Sequence, residues 1–279
     1  MIKFFTLGLI VGLALFVSLR TGASRASQKN AEQEKIEQAK AEQVMYEKER
    51  VDATPVQAKS LTEKQRLNSK HFAYYQEMRG DEGITSFPAQ AKRLGHKMIR
   101  TVVGPGLSGV AGPKGERKDP KDFFAKIAQL SDLIIRGKVI KKTSQVTEND
   151  GFLYTDYDVS VQEVIKDNSA ASVSHDSVIT VAGPGGKVLL DEVVVIAIDE
   201  NLLPLPINDH DVVLFLKYIP ETGAYCLTQY SSAYELDGSR VEPLTHSSFP
   251  AGLIQNSASF LDIIRSVSAK TIIPKKSNR

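Results

Sequence analysis

Sixteen consecutive uncharged residues, Phe4 to Leu19 (FFTLGLIVGLALFVSL), lie between Lys3 and Arg20. A run of that kind commits a chain to an export signal or a membrane anchor. As a helix rising about 1.5 Å per residue it spans roughly 24 Å, short of the roughly 30 Å hydrocarbon core, which favours a cleaved signal. Thr21-Gly22-Ala23 and Ser24-Arg25-Ala26 both supply the small residues that a signal peptidase needs. Arg20 and Arg25 argue the other way, and snorkelling by Lys3 and Arg20 lengthens the effective span. Residues 1–26 are therefore a signal peptide or a membrane anchor, with both outcomes open. The expected location is the cell membrane through a single N-terminal span, or the periplasm or extracellular space if the signal is removed. Gly8 and Gly12 form a GxxxG pair, a pattern that a run rich in Gly and Leu produces without selection for helix pairing.

The remaining composition suits an exported, folded chain. Its only cysteine, Cys226, closes no intrachain disulfide, so the fold rests on core burial, and no cysteine follows the signal to take a lipid. The net charge of +2 hides an asymmetry: residues 1–120 carry 20 Lys+Arg against 13 Asp+Glu, and residues 121–279 carry 15 against 20. A basic stalk suits anionic lipid headgroups or a solvated mixed-charge helix, and an acidic outer domain argues against nucleic acid as a partner.

Residues 27–103 read as a helical stalk. Ser27 to Val51 is almost all strong helix formers with neither Gly nor Pro, yet Ile36, Val44, Met45 and Val51 hold no heptad seam. Thr54-Pro55 should break this helix. A second is expected from Ser60 or Thr62, capped by Ser60 with Glu63 or Thr62 with Gln65, with Leu67, His71, Tyr74, Tyr75 and Met78 on one face and Gly80 at its end. With no second His or Cys four residues away, His71 reads as a partly buried histidine and not a metal ligand. A third helical stretch, Pro88 to Arg100, carries Lys92, Arg93, His96, Lys97 and Arg100, the densest basic cluster in the chain and compatible with lipid or nucleic acid contact. No aromatic residues interleave it, which weakens the nucleic-acid reading. Residues 104–118, with four G-x-y triplets from Gly106, are too few for a triple helix and read as a flexible Gly/Pro-rich linker.

Beyond the linker the pattern changes to short apolar segments and turns. Asp119 and Pro120 open a helix carrying Phe123, Phe124, Ile127 and Leu130 on one side. Strands are expected at Leu133–Lys142, with Gly137 as a bulge or bend, and at Phe152–Val164, Ser177–Ala182, Val188–Ile198, Val212–Tyr218 and Ala224–Tyr230. Ala233–Leu236 and Ser239–Val241 flank Asp237-Gly238, a hairpin signal. A last helix, Ser257–Ala269, places Phe260, Ile263, Ile264 and Val267 together to plug or flank the strands. The expected fold class is α+β: an N-terminal helical stalk, then a small antiparallel OB-like β-barrel over 119–245, then a C-terminal helix and tail over 246–279. Residues 119–279 are expected to hold enough apolar periodicity for a core of their own.

The series FFAKIAQLSDLIIRGKV (Phe123 to Val139) resembles the opening of a group of uncharacterised bacterial exported β-barrel proteins, in which a short helix leads into SDxIVxGxV. Matching features occur in order up to Leu244: Tyr157 to Lys166 (YDVSVQEVIK), Gly183-Pro184-Gly185-Gly186, the Leu205-Pro206 loop, Val213-Leu214-Phe215-Leu216 and the Tyr234 to Val241 hairpin. More remotely the arrangement is similar to the OB-type barrel of netrin-like and metalloproteinase-inhibitor domains. Those depend on disulfides that a single cysteine does not provide, so their inhibitory function does not carry over. The resemblance implies a small β-barrel and no particular chemistry.

No catalytic, cofactor-binding or metal site is assigned. Ser174-His175-Asp176 has the triad residue types, but adjacent side chains point apart and cannot bond in series. Asp209-His210-Asp211 lacks a further metal ligand at a recognisable spacing. Gly183 to Lys187 lacks the phosphate-loop spacing and has Val188 where that loop needs Ser or Thr. Cys226, within a strand, reads as a buried inert thiol. None of the five histidines, His71, His96, His175, His210 and His246, has a ligand partner at helical or loop spacing. The sequence thus favours a non-catalytic extracytoplasmic binding or scaffold module for a protein, peptide or glycan partner, tied to the membrane by its N-terminal segment. The alternative is an exported metal-dependent hydrolase built from Asp209 to Asp211 with a distant carboxylate, Asp156 or Asp158.

Overall fold

The structure is a computed structural model and describes residues 33–55, 61–77, 86–102, 119–199, 202–229, 231–245 and 256–271. The apolar run, the linker, Tyr230, His246 and Met78 lie outside the described residues, and so do the expectations attached to them. The backbone of residues 73–77 is described, but not the side chains of Tyr74 and Tyr75.

Two units divide the chain at Asp52. In the first, residues 33–51 form helix α1, as their propensities require. Its Ile36, Val44 and Val51 are exposed. The second unit begins at Ala53 and is a mixed α/β fold. This moves the expected boundary: the stalk expected over 27–103 ends near residue 52. The segments beyond it join the compact unit as β1 (Thr54–Pro55), α2 (Glu63–Glu77), α3 (Phe87–Leu94) and β2 (Met98–Val102). The reason lies in burial, because Phe72, Phe87, Ala91 and Ile99 pack in one cluster with Val146, Phe152, Tyr154, Val188 and Val195 from further along the chain.

The Thr62 capping box forms as expected. Gln65 N donates to Thr62 Oγ1 at 3.3 Å and Thr62 N donates to Gln65 Oε1 at 2.8 Å. The inward face of α2 runs through Asn68, Ser69 and Phe72, one residue round from the expected Leu67 and His71 line. The third helical stretch is shorter than its composition suggested. Gly95, with φ +68°, caps α3 through the carbonyl of Ala91, and the chain turns at once into β2. The basic cluster is thereby divided between a helix end, a turn and a strand.

Helix α4 (Pro120–Leu130) opens at Asp119, whose Oδ1 accepts from Lys121 N at 2.9 Å. Phe124, Ile127 and Ala128 are buried, whereas Leu130 is exposed. The strands β3 (Leu133–Val146), β4 (Leu153–Asp167), β5 (Val178–Pro184), β6 (Gly186–Leu190), β7 (Val193–Ile198), β8 (Asp211–Ile219), β9 (Ala224–Leu227), β10 (Ala233–Asp237) and β11 (Arg240–Pro243) come next, then α5 (Ser257–Ala269).

One sheet has the order β11-β10-β8-β3-β4-β5-β9, and β8 also pairs with β9. Traced from strand to strand, the pairings β3–β4, β4–β5, β5–β9, β9–β8 and β8–β3 return to where they began. Only β5–β9 among them is parallel. Leu133, Ile135, Val159, Val161, Val181, Leu214 and Leu216 face inward as one core. Alternate residues on the other face of β3 and β8, Ile134, Val213 and Phe215, pack beneath α4 and α5 with Phe124, Phe260 and Ile264. The last helix therefore flanks the strands. Where β3 and β8 are covered on both faces, at Leu133 to Ile135 and Val212 to Leu216, their sequences read as continuous apolar runs.

The second sheet has the order β1-β6-β7-β2, with β1–β6 and β2–β7 parallel, so the fold is not purely antiparallel as expected. The single strand expected over Val188–Ile198 is a hairpin. Its two-residue turn, Asp191-Glu192, has positive φ at both positions (48° and 62°), the geometry that matches strand twist. The β10–β11 hairpin forms one position later than expected: Asp237 pairs with Arg240, leaving Gly238-Ser239 as the loop.

Candidate functional site

The alternation along β4 sends Tyr157, Val159 and Val161 into the core and leaves Asp156 and Asp158 on the outer face beside Thr180 of β5. Helix α2 lies on this face. Lys64 Nζ donates to Thr180 Oγ1 at 3.0 Å, Thr180 Oγ1 donates to Asp158 Oδ1 at 3.3 Å, and Asn68 Nδ2 donates to Asp156 Oδ1 at 3.2 Å. Tyr154 donates its hydroxyl to the Gln65 carbonyl at 2.8 Å. Phe72 anchors the helix, stacked on Phe152 and Tyr154 with ring centroids 5.9 and 5.1 Å away. Burial under α2 pushes the Asp156 carboxyl up to about 6, against the pull of Lys64 and Asn68. The Oδ1 atom of Asn68 is buried without a donor. Between α2 and the strands there is thus one aromatic anchor inside a polar, partly unsatisfied contact.

A second polar cluster gathers where β8 begins. His210 Nδ1 lies 2.6 Å from Glu235 Oε1 and its Nε2 lies 3.3 Å from Asp237 Oδ1, while Asn208 Nδ2 donates to Glu235 Oε1 at 2.7 Å. The hydrogen bond with Glu235 raises the imidazole above its ordinary range, with Asp237 adding to it. Asp211 is engaged by the Arg136 guanidinium, Nε donating to Oδ2 at 2.8 Å. The carboxylates proposed to act together stand apart. Asp156 and Asp158 lie opposite Thr143 and Lys141 of β3, whereas the pairing of β8 with β3 ends with Val212 opposite Gly137, so the Asp209 to Asp211 segment meets that strand at a different level. Glu235 and Asp237 meet opposite nitrogens of the one imidazole, and among the described residues no group of three His, Cys, Asp or Glu is arranged to hold a metal ion.

The other constellations fall where their local chemistry puts them. Contrary to the expectation that these neighbours point apart, His175 Nδ1 meets Asp176 Oδ2 at 2.8 Å, on an exposed turn where Asp176 has a φ of 63°, while the Ser174 carbonyl accepts from the Ser177 hydroxyl. Gly183 to Lys187 carries β5 into β6, and Gly185 N donates to the Leu153 carbonyl. Cys226 lies in β9 and is half-buried instead of buried as expected; desolvation pushes its thiol up to about 11. His71 is partly buried as expected, and burial lowers its imidazole.

Sequence reasoning missed Lys166. It is 2% exposed, and its Nζ donates to the carbonyls of Ala128 and Ser131 at 2.6 and 2.7 Å, at the C-terminal end of α4. A cation there meets orphan carbonyls and the negative end of the helix dipole. The only sequence signal was a lysine at the end of an apolar strand.

No protein-family model matches this sequence, and no curated protein matches it either. The functional reading therefore rests on the geometry of the chain itself.

Proposed function

We propose that this chain is a non-catalytic binding or scaffold module held outside the cytoplasm, built on an OB-type barrel that receives a peptide or protein segment on the outer face of β4 and β5. The reading of the strands as a barrel is supported by the order β3-β4-β5-β9-β8, with its one parallel pairing between β5 and β9. Barrels of this type present the outer face of their second and third strands to ligands. The apolar run Phe4 to Leu19 supports the location.

One observation carries the choice of partner. The face is covered by a helix of the chain itself, seated by Phe72 against Phe152 and Tyr154 and by Lys64 and Asn68 on Thr180 and Asp156. A surface shaped to take an anchored helix suits a helical peptide that replaces α2 there better than a glycan, by the same helix-in-groove logic used between proteins.

A photo-crosslinking residue at Val178, exposed at the rim of this face, tests the proposal in the full-length protein in its native membranes. A discrete adduct with a second polypeptide, absent from the same experiment placed at exposed Ile198, supports it. Adducts confined to the chain itself at both positions would overturn it.

A further inference from the structure

The corner where α3 turns into β2 faces outward with a dense run of cations, and the carboxylates next to it in the fold are Asp191 and Glu192 of the β6–β7 turn, since Val194 pairs with Met98 and donates to the Lys97 carbonyl. Residues 86–102 contain Lys92, Arg93, His96, Lys97 and Arg100 and neither Asp nor Glu. All five are exposed, and β7, the strand that pairs with β2, carries no charge at all. Gly95 produces the arrangement. By ending α3 in the left-handed region it turns the chain within three residues, so cations from the last helical turn, the loop and the strand come onto one corner. The inner side of the corner is fixed by Phe87, Ala91 and Ile99, all in the core. The outer side also bears two exposed aliphatic side chains, Leu94 at 54% and Val102 at 41%. No carboxylate partners Lys92 or Arg93 among the described residues.

We infer that this corner is a docking surface for an anionic membrane, with Lys92, Arg93, Lys97 and Arg100 set against lipid phosphates and Leu94 and Val102 entering the headgroup layer. The charge sign and the paired aliphatic side chains favour lipid. Clustered cations are drawn to anionic headgroups, and apolar side chains among them add burial that a polyanion in water does not offer. Stacking aromatics, which a single-stranded nucleic acid would use, are lacking from the exposed side of this corner. The inference rests on the proposed function only for a bilayer being at hand; it does not involve the β4–β5 face.

The chain has no tryptophan, so one introduced at the corner reports on it alone. Full-length protein carrying Leu94→Trp is reconstituted in vesicles of phosphatidylcholine, with and without added phosphatidylglycerol. The expected result is a blue-shifted emission and a several-fold stronger quenching by brominated lipid in the anionic vesicles. This contact should be lost with Lys92→Gln, Arg93→Gln and Lys97→Gln together, and weakened near 1 M salt, where the screening length falls to about 3 Å. Val102→Trp serves as a second reporter if the first variant folds poorly. Equal emission and quenching in neutral and anionic vesicles would overturn the inference, and so would a shift produced by an oligonucleotide or heparin but not by anionic vesicles. Failure of the Val178 crosslink would leave this result untouched, so the two readings fail separately.

Discussion

Asp156 is the residue whose chemistry is most altered by its surroundings. Its carboxyl titrates near 6 in the folded chain and near 3.8 when unfolded. With the folded value above the unfolded one, the stabilisation is fully present below about pH 4 and is lost as pH rises through 6. Asp156→Asn is expected to flatten that dependence and to stabilise the protein at pH 7 by at most about 3 kcal/mol, the shift from 3.8 to about 6 taken at about 1.4 kcal/mol per pH unit. Urea melts of both proteins between pH 4 and 8 check this, and parallel curves would refute it. Gly137 makes the opposite kind of demand. A Cβ there would lie 2.4 Å from the Ser160 carbonyl oxygen, where β3 bulges against β4. Gly137→Ala should cost about 1–3 kcal/mol by overpacking, read as a lower denaturation midpoint with unchanged slope.

At the scale of elements, the β6–β7 hairpin turns on two non-glycine residues in the left-handed region, each costing roughly 1 kcal/mol relative to glycine. Glu192→Gly should therefore raise stability by about 1 kcal/mol, measured by thermal or urea unfolding. A destabilised variant would mean that the Glu192 side chain contributes more than the strain. The same turn shows why this hairpin was not legible in advance: Asp-Glu carries no Asn-Gly signature, so Val188 to Ile198 reads as one strand. Helix α4 depends at its far end on Lys166. Lys166→Met keeps the volume but leaves the Ala128 and Ser131 carbonyls without their donor, an expected loss of about 1–3 kcal/mol. Calorimetry decides it, since a neutral result would show the carbonyls satisfied in another way.

For the whole molecule, the expectation that residues 119–279 suffice for a core needs changing. Phe72, Phe87, Ala91 and Ile99 come from before residue 104 and pack on Phe152, Tyr154, Val188 and Val195. Residues 53–279 should unfold in one cooperative transition, whereas 119–279 should show a lower midpoint and bind a hydrophobic dye through the uncovered second sheet. Equal midpoints for the two fragments would refute this. What the sequence determined by itself was local. The Thr62 and Asp119 caps, the outward turn of the α5 polar face and the alternation along β4 arise from side chains acting on their own backbone within a few residues. The Ser27 to Val51 propensities belong with these. What only the tertiary structure decided was long-range: that β5 runs parallel to β9, that β6 and β7 leave for a second sheet, and that α2 covers Asp156. Those outcomes depend on which distant apolar surfaces meet, and hydrophobic attraction, being non-directional, leaves no mark at a fixed spacing in the chain.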